Sequence, residues 1–205
     1  MPSARYRELA YRVVKLRHHF LPAAFSATGS YTDRDLDRAR GFRLLAHAEI
    51  EAYLEDRART IVNTAFKNWK ADRKPREVIL KLLTFHLEQK SVSQQELKEE
   101  HAGRRQRLEE AVQSTTNAYN RVLSHNHGIK EESILKILLP LGVKHTDIDS
   151  TWLGTIDSFG AARGETAHSS VKAQQPLDPQ TEFATINSIL HGLEDIDKVL
   201  SKIKT

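Results

Sequence analysis

Apolar residues recur along this chain at intervals of three, four and near seven, so the pattern predicts helices and no strands. Residues 4–20 place Tyr6, Leu9, Ala10, Val13, Val14 and Leu16 at helical spacing, with Arg5, Arg7, Arg12, Lys15 and Arg17 among them. That is an amphipathic helix with a cationic outer face. Phe20-Leu21-Pro22 ends it, and Phe25 to Tyr31 reads as a loop. Thr32 or Asp33 is the expected cap of the next and longest element, because a short polar side chain satisfies the free N–H groups at a helix start. Asp33, Asp35 and Asp37 suit the positive end of that helix. Leu36, Leu45, Ile50, Leu54, Ala58, Ile61, Ala65 and Trp69 carry it to about Lys70, with a bend expected near Gly41. A helix of that length is the spine of a bundle.

Pro75 suits the first turn of a third helix, whose buried stripe is Val78, Ile79, Leu82, Leu83 and His86. Ser91 and Ser93 offer caps for a charged helix from about Gln94 to Leu123. It is polar from Glu96 to Arg107 and apolar through Leu108, Ala111, Val112, Thr115, Tyr119, Val122 and Leu123. Residues 72–128 therefore read as a helical hairpin that leans off the bundle with a solvated tip, closed by His125-Asn126-His127-Gly128. A short apolar helix, Ile134 to Leu141, is stopped by Pro140 and Gly142. Asp149 or Ser150 caps a helix carrying Trp152, Leu153, Ile156 and Phe159, and Gly160 is expected to loosen the backbone after it. Beyond Gln174-Gln175-Pro176 and Pro179, a final helix carries Phe183, Ile186, Leu190, Leu193, Leu200 and Ile203. The expected fold is all-α: an antiparallel helical bundle with a protruding hairpin. It forms one domain over residues 1–205, with 72–145 as a candidate helical insertion.

Composition narrows the chemistry. The absence of cysteine excludes disulfides, thiol catalysis and zinc fingers, and a reducing compartment, the cytoplasm, is the expected home. Met1 to Leu9 is charged and lacks a signal-peptide core, and apolar runs such as Ile137 to Val143 are too short to span a bilayer, so no membrane is expected. Net charge is +4 but uneven. Residues 146–197 hold nine carboxylates against two cations, Arg163 and Lys172, and the remainder carries a surplus of eleven positive charges. Such a body can steer a polyanion by its long-range field.

Within the acidic region lies Ala161-Ala162-Arg163-Gly164-Glu165-Thr166-Ala167-His168-Ser169-Ser170, with a lone arginine five residues before a lone histidine. An arginine followed four to six residues later by a histidine is not selective, since Arg12 with His18 and Arg121 with His127 share the pattern. Context separates the third pair: it is isolated among carboxylates and flanked by small residues that let a backbone or a phosphate approach. Histidine can move protons near neutrality, and the planar fork of arginine fits phosphoryl oxygens. One histidine cannot be both acid and base in a single step, whereas a two-fold homodimer brings two copies together. On one regular helix, residues five apart point about 140° away from each other. Either a helix starts after Gly164, or Arg163 meets the histidine of a second subunit. The rival reading pairs Arg163 with Asp157 or Glu165 and leaves His168 packed at a helix end. On the long helix, Glu51 shares a side with Leu54 and Ala58 and is preferred to Glu49 as a partner for Arg163.

The string Arg163-Gly-Glu-Thr-Ala-His168, late in an all-helical chain, resembles the motif of the HEPN superfamily, specifically its RiboL-PSP-HEPN branch. Leu45-Ala-His-Ala-Glu49-Ile-Glu51-Ala-Tyr-Leu54 is similar to that family's second helix, where a glutamate faces the site. The resemblance implies a dimeric bundle acting as a metal-independent endoribonuclease on RNA, with no cofactor, in toxin–antitoxin or antiviral systems. A neutralising antitoxin or a regulatory protein is then an expected partner. Arg163 and His168 are the catalytic residues it implies, with Glu51 and Glu165 in support. The chain departs from the motif at Gly164, where the family commonly has Asn or Asp, and Glu165 is the nearby candidate to substitute. That departure leaves a second expectation: an inactive HEPN-like dimer that serves as a binding or scaffold module for nucleotide, RNA or a protein partner.

Overall fold

The computed structural model describes residues 1–74, 76–87, 101–168 and 177–205, with the backbone only at 86–87, 101–105 and 167–168. The described residues form seven α-helices and two short 3-10 turns, with no strand among them. The first helix, α1 (Ala4–Phe20), is capped by Ser3, whose hydroxyl accepts the Tyr6 N–H at 3.1 Å. The next, α2 (Asp33–Asp72), has a reciprocal capping box. The Thr32 hydroxyl accepts the Asp35 N–H at 3.2 Å, and the Asp35 carboxylate accepts the Thr32 N–H at 3.3 Å. Its forty residues make it about 60 Å long at 1.5 Å per residue. It ends at Arg73, held at a left-handed φ of 56°. Beyond it come α3 (Glu77–Leu87), α4 (His101–Ser124), α5 (Glu131–Leu138), α6 (Ser150–His168) and α7 (Pro179–Leu200). Asp149 caps α6 through the Trp152 N–H, and Asp178 caps α7 through the Thr181 N–H.

Side-chain pairs give the helix directions. Arg5 meets Asp56, Arg12 meets Glu49 and Phe20 meets Gly41, so α1 runs antiparallel to α2. Arg43 meets Glu182, and Arg57 meets Asp197 and Ser201, so α7 runs parallel to α2. Arg43 meets Thr166 and His47 meets Phe159, so α6 runs antiparallel to it. The helices α3 and α4 pack on one another and are rooted on α2. Their root is apolar, through Val78, Ile79, Leu82, Val112, Tyr119 and Leu123. The helix α2 therefore touches every other helix and is the spine that its pattern announced. One contiguous core runs from Tyr6 to Leu200.

Several details differ from the sequence reading. Val14 and Leu45, placed on buried stripes, are exposed. No break occurs at Gly41 or Gly160, and both helices continue through. Each glycine is where another element comes close instead. A Cβ at Gly41 would lie 2.9 Å from the Phe20 ring, and one at Gly160 would lie 3.2 Å from Lys130 and 3.4 Å from its backbone nitrogen. Arg163 and His168 therefore ride on one helix, and the alternative in which a helix starts after Gly164 falls. The expected roles of Pro75, Ser91, Ser93 and Gln174 to Pro176 lie outside the described residues, as does the tip of the hairpin.

Gly192 on α7 is the tightest glycine among the described residues. Trp152 lies flush against it and donates its indole N–H to the Ile189 carbonyl at 3.0 Å, so a Cβ there would stand 2.1 Å from the ring. Gly192→Ala is expected to destabilise the bundle by about 1–3 kcal/mol, read as a lowered midpoint in chemical denaturation. An unchanged midpoint would mean that the Trp152 ring has room to move away.

Candidate functional site

Four polar side chains climb α2 at four-residue intervals: Arg43, His47, Glu51 and Glu55. Spacing of four keeps them on one helix face, which meets α6. His47 is 1% exposed and packs beside the Phe159 ring, with centroids 6.0 Å apart and planes 31° from parallel. Its Nδ1 is buried with no hydrogen-bond partner among the described residues, and the nearest carboxylate oxygen, Glu51 Oε2, is 3.6 Å away. That distance is beyond hydrogen-bond reach. Burial, and after it the Arg163 cation, pushes the pKa of His47 down to about 4, so the imidazole is neutral at pH 7 and its contact with Glu51 is not an ion pair.

Glu51 lies in the same enclosure. Burial raises its pKa, as does the neighbouring Glu55 carboxylate, while the Gly128 N–H, Arg163 and His127 act in the opposite direction. Asn126, in the loop after α4, holds the two glutamates. Its amide nitrogen donates to Glu55 Oε1 at 2.9 Å, to the Gly128 carbonyl at 3.0 Å and, more weakly, to Glu51 Oε1 at 3.4 Å. Arg163 enters from α6, one turn beyond Phe159. Its Nε is buried and has no hydrogen-bond partner among the described residues.

A second cluster anchors the end of α6. Arg43 donates to both oxygens of Glu182 on α7, at 2.9 and 2.5 Å, and its third arm donates to the Thr166 hydroxyl at 3.1 Å. Thr166 donates back to the Ala162 carbonyl at 2.9 Å. The guanidinium thus ties three helices together at the turn between Arg163 and His168. A planar bidentate fork does this where a lysine would give only a point charge. Beside it opens a groove of about 510 Å³, bordered by Arg43, Ser158, Phe159, Ala162 and Glu182.

Of the residues singled out in the sequence, Arg163 and Glu51 come near one another, and the Arg163 cation acts to lower the pKa of the Glu51 carboxylate. Glu49 pairs on the outer side with Arg12 at 2.9 Å. Glu165 is half-buried and forms no ion pair with Arg163, and Asp157 accepts the Glu131 N–H at 2.9 Å. The rival pairing of Arg163 with either carboxylate is therefore absent among the described residues. His168 is the last residue of α6, and its side chain lies outside the described set. Nothing stands within 4 Å of a Cβ built at Gly164, so the polar residue usual at that position in the motif would fit. No group of three or more His, Asp or Glu side chains among the described residues is arranged to hold a metal ion. His47, Asn126, Arg43 and Glu182 escaped the sequence reading.

A helical spine carrying a glutamate opposite an arginine that begins an Arg–His motif near the end of a late helix defines a HEPN-type bundle. The chain matches the RiboL-PSP-HEPN family over residues 7–202 and belongs to that family. No curated protein and no solved structure matches it.

Proposed function

We propose that the protein is a metal-independent endoribonuclease whose site is composed by two copies of the chain. One observation carries this reading: a cationic side chain, Arg163, whose Nε is buried unpaired beside a neutral imidazole, at the head of the family's motif. A guanidinium with its charge uncommitted is what a phosphate in transit needs. In the proposed step, His168 takes the proton from the ribose 2′-hydroxyl, whose oxygen attacks the adjacent phosphorus. Arg163 neutralises the charge that builds on the phosphoryl oxygens. The 5′-oxygen leaves with a proton given by the partner's His168, so the products are a 2′,3′-cyclic phosphate and a free 5′-hydroxyl. Arg163 and His168 are five positions apart on one helix, about 140° around its axis, and this supports a homodimer that returns them to one substrate. A cytoplasmic role as a toxin or antiviral effector, restrained by an antitoxin or regulatory protein, fits the reading. No helix among the described residues is long and apolar enough to cross a membrane.

The test is incubation with single-stranded RNA in excess EDTA, followed by analysis of product ends. Cyclic-phosphate ends are expected from the wild type, with a rate about 10²–10⁴-fold lower for His168→Ala. Absence of cleavage by the wild type, or cleavage indifferent to His168, would refute it. Gly164 favours a second reading, an inactive scaffold. Its signature would be salt-sensitive RNA binding without product.

A further inference from the structure

Two polar atoms in the enclosure between α2 and α6 are buried and unmatched: the Nδ1 of His47 and the Nε of Arg163. Their chemistries are complementary. An arginine Nε always carries a hydrogen and can only donate, and a neutral imidazole with its proton on Nε2 offers Nδ1 as an acceptor. The Arg163 cation also acts on His47, lowering its pKa after burial has done so. Near the arginine, Glu51 Oε1 already receives the Asn126 amide, and the Gly128 N–H is directed at the same carboxylate. Leaving a buried donor and a buried acceptor both unmade is costly, which favours their meeting. The arginine side chain has several rotatable bonds with which to reach an acceptor, and the His47 ring packs beside Phe159.

We propose that His47 is the positioning residue for Arg163: its Nδ1 accepts the Arg163 Nε–H and so turns the two Nη groups toward the substrate phosphate. This deepens the ribonuclease reading and rests on it for its purpose, though the contact itself does not depend on catalysis. With Nε held, the guanidinium keeps one orientation, and both Nη arms remain for a bidentate grip on phosphoryl oxygens. The imidazole suits this task because it stays neutral beside the cation; a protonated ring would repel the arginine and have no lone pair to offer.

Three variants separate this role from packing. Asn places its carbonyl oxygen where Nδ1 stood, Gln reaches instead to the place of Nε2, and Leu supplies volume with no acceptor. The direct readout is the Arg163 Nε–H resonance in ¹⁵N-labelled protein, assigned by its loss in Arg163→Lys. The wild type is expected to give a slowly exchanging Nε–H with a correlation across the hydrogen bond to the His47 nitrogen. Slow exchange should persist in His47→Asn and vanish in His47→Gln and His47→Leu. In the cleavage assay, kcat should drop about 100-fold in the Gln and Leu variants with KM little changed, and stay close to wild type in His47→Asn. Three results would overturn the proposal: a fast-exchanging Nε–H in the wild type, equal behaviour of the Asn and Gln variants, or undiminished kcat in folded His47→Leu. If the wild type cleaves no RNA, the ribonuclease reading fails, and the resonance still decides whether His47 holds Arg163.

Discussion

Arg163→Ala is expected to slow RNA cleavage about 10²–10³-fold while leaving the thermal midpoint close to that of the wild type. The two halves of this result follow from the same geometry. An arginine that serves stability is recognised by its partners, as Arg57 is by Asp197 and Arg43 by Glu182. Arg163 forms no ion pair with a described residue, and its buried Nε is unpaired. Removing it costs no ion pair with a described residue and relieves the cation that presses on His47, so stability has little to lose. Sites that hold charge ready for a substrate commonly carry this trade-off. Arg163→Lys should recover only part of the rate, because an ammonium cannot present two parallel donors to a phosphate. Parallel melting curves and cleavage rates check this. A variant that melts far below the wild type yet cleaves RNA normally would make Arg163 structural.

The second large effect concerns stability. Asp197→Ala is expected to lower the unfolding free energy by about 3–5 kcal/mol, because it strips the centre from a buried polar node. Asp197 has no exposed surface. It accepts the Ser3 N–H at 2.6 Å and the Ser3 hydroxyl at 2.8 Å, the Tyr53 hydroxyl at 2.9 Å and Arg57 Nε at 3.0 Å. Alanine would leave a guanidinium and a phenol without their acceptor. Burial by itself raises the pKa of this carboxylate; the Ser3 N–H and hydroxyl, Tyr53 and Arg57 outweigh it and hold the group below the ordinary 3.8. A depressed folded value means stabilisation that is complete above 3.8 and lost as pH falls through the lower folded value. His47 acts earlier in the acid. Its folded value of about 4 lies below the ordinary 6.5, so the unfolded chain takes up that proton first and stability declines between them. Denaturant titrations across this range should show both limbs in the wild type, with the more acidic limb weakened in Asp197→Ala and the upper one retained.

Much of this architecture could be read from residue spacing, because long amphipathic helices leave a periodic trace that short-range chemistry can close. Thr32 with Asp35, Asp149 before Trp152 and Asp178 before Thr181 are local devices, and each works where its spelling suggests. Gly41 and Gly160 stood out because glycine weakens an isolated helix by about 1 kcal/mol relative to alanine, which reads as a bend or a loosened backbone. In the folded chain that weakness is outweighed by packing, since Phe20 and the start of α5 need the missing side chains. The site was legible in part for a similar reason. Glu51 could be placed from its apolar neighbours, but no apolar stripe pointed to the face that His47 and Arg43 share. That face is covered because α2 is surrounded, a fact no single helix announces. The available signal was the polar row Arg43, His47, Glu51, Glu55 at strict four-residue spacing. Asn126 offered none, since its carboxylate partners lie 75 and 71 residues away.

The contact between Ser3 and Asp197 joins positions 194 residues apart in the chain. Contacts of that span close only after the intervening helices have condensed, since the loop entropy must be offset first. The node is therefore absent from the folding nucleus and belongs to the last step inward and the first step outward. Weakening it should steepen the approach to the unfolded state without delaying the return: Asp197→Ala unfolds faster than the wild type and refolds at nearly the same rate. The clasp governs how long a folded molecule persists, and the spine governs how quickly it forms.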